Sequence, residues 1–152
     1  MAEEIAGRTL HFGQALLASG WASDVRITTA DGLICEIARS EDPHPGDDRH
    51  AIGLPGMCNA HSHAFQRGMA GLAESRGMKD DSFWTWRDVM YRFVDQIDAE
   101  QLQAIAALAY SEMLETGFTR VGEFHYLHHD AAGNCYSDPA RLSQSIAAAA
   151  AE

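Results

Sequence analysis

Two histidines one residue apart, His61 and His63, are the side chains in this sequence best placed to do chemistry. On an extended backbone, residues i and i+2 leave the same face, and two imidazoles on one face can grip a single metal ion. The pair follows a short apolar run, Ala51 to Cys58, that is punctuated by Pro55-Gly56. The second half of that run reads as a strand that opens, through Asn59-Ala60, into a polar mouth. Taken alone, a His-x-His pair is more often structural than ligating, because histidine also serves as an ordinary half-buried polar residue.

Three further imidazoles, His125, His128 and His129, crowd within five positions. Their loop has no cysteine or carboxylate at metal-ligand spacing, so His125 is expected to shape a pocket wall and the other two to meet solvent or hydrogen-bond partners. Glu123 falls inside a strand, where a buried carboxylate needs a partner, and it is given no catalytic role. His44 and His50 lie in the charged, proline-containing stretch Arg39 to His50, an exposed connection by composition.

The elements that must position the pair can be read outward from it. Upstream, Val25, Ile27 and Thr29 alternate with polar neighbours, Asp31-Gly32 is a hairpin signal, and Leu33, Cys35 and Ile37 alternate on the return. Downstream, helices are expected over Ala64 to Ala73 and over Ser82 to Ile97, the latter with Phe83, Trp86, Met90 and Phe93 as a core-facing stripe. Asp98 with Gln101 begins a third helix, with Leu102, Ile105, Ala109 and Met113 on one face and Gly117 as its stop. Phe118 to His125 is a strand, Tyr126 to Tyr136 a loop, and Asp138-Pro139 opens a last helix.

A β element followed by strand, helices, strand and helix is the alternation of a parallel α/β fold. Two parallel strands cannot close a barrel, which needs about 250 residues, and the last helix runs to Ala151-Glu152 with no stop signal. The expectation is therefore an N-terminal fragment.

Composition narrows the classes. Of 152 residues, 46% are hydrophobic and 22% charged, which suits one globular domain and excludes disordered or collagen-like chains. Eleven Lys and Arg against 22 Asp and Glu leave a net charge of −11, so nucleic acid is not an expected partner. No apolar run reaches the ~20 residues of a membrane span, and the acidic N-terminus lacks the features of a signal peptide. The widely spaced Cys35, Cys58 and Cys135 form no disulfide framework, and a reducing, cytoplasmic location is expected.

The string Leu54-Pro55-Gly56-Met57-Cys58-Asn59-Ala60-His61-Ser62-His63 resembles the first-strand signature of the amidohydrolase superfamily, in which a turn leads into a strand that ends in paired metal ligands. Ala64-Phe65-Gln66-Arg67, Asp81-Ser82-Phe83-Trp84-Thr85-Trp86-Arg87 and Gly122-Glu123-Phe124-His125-Tyr126 resemble its formiminoglutamate deiminase branch. The resemblance runs from about Trp21 to the end of the chain. It implies a partial TIM-type (β/α) barrel, comprising the first two strands and their helices. Before it would stand a small N-terminal β element of the superfamily's β-sandwich, with residues 1–53 in the β element and 54–152 in the barrel.

It also implies zinc held by His61 and His63, with formiminoglutamate contacted by Gln66, Arg87 and Tyr126, and a homodimeric parent. Formiminoglutamate has two carboxylates, and a guanidinium binds a carboxylate through two parallel charge-assisted bonds. From residue type alone, Arg87 reads equally as a surface ion-pair partner, Tyr126 as a packing residue and Gln66 as an exposed helix residue. The remaining ligands and the catalytic groups of such enzymes come from later strands, so no catalytic residue is assigned here and the fragment is expected to be inactive. Two rivals stand beside this reading: another deaminase or chlorohydrolase of the superfamily, with no need for Arg87, and a non-catalytic interaction module.

Overall fold

The computed structural model of the chain describes residues 7–74 and 82–152. The acidic N-terminal stretch before Gly7, and Asp81 of the quoted motif, lie outside the described residues. The fold is α/β, and the chain divides into two compact units, Met1–Pro55 and Gly56–Glu152.

The first unit is a four-stranded sheet in the order β3-β2-β1-β4, made of β1 (Arg8–Leu17), β2 (Gly20–Ala30), β3 (Leu33–Arg39) and β4 (Asp48–Gly53). β2 and β3 pair antiparallel across the expected turn, where Asp31 and Gly32 have φ of 51° and 73°, the two positive angles a tight hairpin turn requires. Val25 is fully buried and Ala15 nearly so.

One expectation fails here. Arg39 to His50 is not all connection, since Asp48–Gly53 forms a strand parallel to β1, with Phe12 opposite His50. Local composition could not reveal this, because the strand is held by hydrogen bonds to a partner far back in the sequence. Ion pairs fasten the preceding loop. Arg26 donates from Nε and from a terminal nitrogen to Asp47 at 2.8 and 3.1 Å, and to Glu41 at 2.7 Å.

The second unit contains β5 (Met57–Ser62), a 3₁₀ segment (Ala64–Met69), α1 (Phe83–Val94), α2 (Ala99–Glu115), β6 (Phe118–Glu123) and α3 (Arg141–Ala149). β5 and β6 pair in parallel, with the helical segments in the crossover between them. The core lies where α2 meets the 3₁₀ segment and α3, around Phe65, Leu102, Ala106 and Ile146.

α2 begins as its sequence dictates, with the Asp98 side chain accepting from the Glu100 and Gln101 amides and Gln101 reaching back to the Asp98 amide. Gly117 follows its end at φ 90°. The Ala64 to Ala73 helix is instead a six-residue 3₁₀ segment, since Gly68 and Gly71 disfavour a longer α-helix there. In α1, Met90 is buried and Trp86 and Phe93 pack against the core, but Phe83 in the first turn is exposed. The last helix starts at Arg141, after a turn in which Asp138 accepts from the Ala140 amide at 2.8 Å. Among the described residues, no helix is long and apolar enough to cross a membrane.

Candidate metal centre

β5 carries the histidine pair to its C-terminal end. Ser62, between the two, is buried, while the imidazoles turn the other way and bring their Nε2 atoms to 2.9 Å. The Asn59 carboxamide accepts from the His61 amide at 3.1 Å and steadies the end of the strand.

The protonation pattern follows from the partners. His63 Nδ1 lies 2.9 Å from the Phe124 carbonyl, which can only accept, so Nδ1 carries the proton and Nε2 presents its lone pair. In the neutral pair, His61 Nε2–H then donates to His63 Nε2, and a cation would take that proton's place. Two nitrogens 2.9 Å apart can both lie ~2.0–2.1 Å from one ion while subtending about 90° there. The donors thus fit zinc in kind and spacing. They supply two ligands, and the described residues hold no group of three His, Cys, Asp or Glu that could complete a site.

Aromatic rings and two polar groups surround the pair. The Phe124 ring stacks over His61 with centroids 6.2 Å apart, and Tyr126 meets His63 edge-on at 5.0 Å. Gln66, in the 3₁₀ segment, donates to the Tyr126 hydroxyl at 3.1 Å, and that hydroxyl lies 3.5 Å from Met90 Sδ in α1. His61, His63, Gln66 and Tyr126 are therefore neighbours.

Arg87 is not joined to them by any hydrogen bond or ring contact. It lies one turn before Met90 in α1, between Trp84 and Tyr91, with its guanidinium carbon 5.6 and 5.0 Å from their ring centroids. It donates to the Tyr91 hydroxyl at 3.0 Å. No carboxylate pairs with it among the described residues.

Sequence reasoning assigned no partner to Glu123. Its Oε1 accepts from the Ala64 amide at 2.7 Å, directly after His63, while its Oε2 is buried with no hydrogen-bond partner. Burial, and after it the charge of Glu123 and a long hydrogen bond to that carboxylate, raise the Tyr110 hydroxyl well above the usual phenol range, so Tyr110 is the neighbour within reach of the second oxygen. The signal in the sequence was a carboxyl residue inside a strand. His125 is half-buried with Nε2 unpartnered, and burial lowers its pKa below that of a free imidazole. It meets His128 edge-on at 5.5 Å.

A parallel βαβ unit with paired histidines at a strand's C-terminal end defines a class, and the comparisons agree with it. Residues 52–150, more than half of the chain, match the amidohydrolase family, and the chain belongs to that family. Residues 8–51 match the N-terminal domain of formimidoylglutamate deiminase HutF.

Among individual proteins, the chain is 51% identical to the formimidoylglutamate deiminase of Pseudomonas aeruginosa over 138 residues, covering 90% of this chain and 30% of that enzyme. A solved amidohydrolase from Brucella melitensis superposes with a TM-score of 0.88 at 52% identity, over 95% of this chain and 32% of that one. An adenosine deaminase from Xanthomonas campestris with bound zinc shares the fold, at a TM-score of 0.63 and 19% identity over 93% of this chain and 30% of that one. The chain thus spans about a third of the length of the relatives it matches.

Proposed function

We propose that this chain carries the first part of a zinc-dependent deiminase that hydrolyses N-formimino-L-glutamate to N-formyl-L-glutamate and ammonia. The observation that carries the reading is the convergence of His61 and His63 Nε2 at the end of β5, in a chain 51% identical to a formimidoylglutamate deiminase. On this reading β5 and β6 are the first two strands of a TIM-type barrel, and residues 1–53 belong to a β-sandwich that precedes residues 54–152. The barrel supplies the remaining ligands and the proton-transfer groups from later strands. The parent is a cytoplasmic homodimer.

In the reaction the oxygen of water adds to the formimino carbon, the bond from that carbon to its terminal nitrogen breaks, and ammonia leaves. Zinc, when bound, makes a hydrolytic nucleophile available near neutral pH. His61 and His63 present two nitrogen lone pairs for it, the second fixed in direction by the Phe124 carbonyl. Arg87 receives a substrate carboxylate in a two-bond fork, its plane already oriented by Trp84 and Tyr91. The Gln66 amide and Tyr126 hydroxyl, 3.1 Å apart, contact the substrate beside the metal ligands.

Ammonia release by the full-length protein, compared on N-formimino-L-glutamate and on a neutral heterocycle such as adenosine, tests the assignment. Turnover confined to the first supports it, and preference for the second overturns it. Two imidazoles are fewer than the three protein ligands a catalytic zinc needs, so the 152-residue chain is expected to release no ammonia by itself.

A further inference from the structure

The ladder between β5 and β6 loses its register between Asn59 and Ser62, immediately before the histidine pair is complete. At that break, three consecutive residues of the first strand's end are each held by the second. The Phe124 amide donates to the Ser62 carbonyl at 2.8 Å, His63 Nδ1–H donates to the Phe124 carbonyl at 2.9 Å, and the Ala64 amide donates to Glu123 Oε1 at 2.7 Å. In the first two the acceptor is a backbone carbonyl, and only in the last is it a side chain.

The Ala64 amide is the first of the 3₁₀ segment, and such leading N–H groups need an acceptor from outside the helix. His63 stands at the cap position and gives none from its side chain. Glu123 fills that place from another strand, as a long-range cap. The rest of its carboxylate is buried near the Tyr110 hydroxyl, so the group is held inside the fold and not in solvent. The Ala64 amide is the N1 donor, which a cap side chain at position 63 would not reach because caps accept from N2 or N3, so its acceptor has to come from another segment.

We propose that Glu123 is a positioning residue for the metal centre: by holding the Ala64 amide it fixes where the chain turns after His63 and so aims His63 Nε2 at the point it shares with His61. The proposal rests on reading the histidine pair as metal ligands. Glu123 touches neither substrate nor metal and acts through the backbone on either side of His63.

The test uses the full-length protein with Glu123→Gln, Glu123→Ala and Glu123→Met. Cobalt affinity is measured by chelator competition, the visible spectrum of the cobalt form is recorded, and thermal melting is followed alongside. Gln keeps an oxygen acceptor for the Ala64 amide. Ala removes it, and Met removes it while filling the volume, so Met carries the test should the Ala variant fail to fold.

Expected is a loss of cobalt affinity of about tenfold or more with shifted visible bands in E123A and E123M, against no more than about threefold in E123Q. Unchanged affinity and spectrum in E123M, with the wild type binding cobalt, overturns the positioning role and leaves the ligand assignment standing. A wild type that binds neither cobalt nor zinc removes the ligand assignment, and the positioning role falls with it.

Discussion

His63 Nδ1 donates to the carbonyl of Phe124 across 2.9 Å, so the orientation of an imidazole at the end of β5 is set by the backbone that leaves β6. Metal-binding histidines are ordinarily steered through their second nitrogen. Here that partner comes from the neighbouring parallel strand, which ties the geometry of the pair to the pairing of β5 with β6.

The first prediction concerns the pair itself. Replacing either His61 or His63 with Ala removes one of the two imidazoles that converge at the end of β5. Bound zinc in the purified full-length protein is expected to fall by at least about tenfold, measured by elemental analysis after dialysis. Zinc retained at the wild-type level in both variants would end the ligand assignment.

Arg87 discriminates between the deiminase reading and its rivals. Lysine keeps the charge but loses the fork and the stacking on Trp84 and Tyr91. Arg87→Lys should lower kcat/KM for formiminoglutamate by about 10–100-fold, or ~1.4–2.7 kcal/mol, chiefly through KM. Steady-state kinetics decides it, and an unaltered KM would show that no substrate carboxylate reaches Arg87.

An acid-dependent stability term belongs to the N-terminal sheet. Arg26 beside Asp47, followed by the His44 amide, holds the Asp47 carboxyl down at about 2 against an ordinary 3.8, despite the opposing effect of burial. Because the folded value is depressed, the stabilisation is fully present above about pH 4 and fades as pH falls towards about 2. Melts of the wild type and Asp47→Asn should differ most above pH 4 and converge in stronger acid. A difference that stays constant across that window would contradict the pairing.

Gly56 is tightly approached, since a Cβ built there would overlap the side chain of Thr119 in β6. Gly56→Ala is expected to destabilise the protein by about 1–3 kcal/mol through overpacking. Adding Thr119→Ala should recover part of that loss, because the two sites share one space. Denaturant melts of the single and double variants provide the check, with strict additivity as the outcome that refutes the contact.

Asp98 offers a purely local test. Its side chain accepts from two amides at the start of α2 at 3.0 and 2.9 Å, and Asp98→Ala should cost about 1 kcal/mol. The effect should appear in melting temperature, with catalytic constants of the full-length protein unaltered.

Much of this architecture was legible in residue order. The Asp31-Gly32 turn, the Asp98 cap and the Gly117 stop are short-range preferences that need only their neighbours, and all three stand where the sequence put them. The spacing of His61 and His63 carried the shared face, because alternation is a property of any extended chain. Where local signals were weak or mixed, the outcome differed. Asp48–Gly53 became a strand despite its charges, and Ala64–Met69 stayed a 3₁₀ segment because Gly68 and Gly71 outweigh the helix formers around them.

By itself, then, the sequence determined which residue types meet at the end of β5 and which way they face. Tertiary structure alone decided that His63 keeps its proton on Nδ1, that Glu123 reaches the Ala64 amide, and that β4 lies beside β1. Each of those depends on a hydrogen bond between segments far apart in the chain, and a backbone carbonyl or amide looks the same at every position until folding supplies its partner.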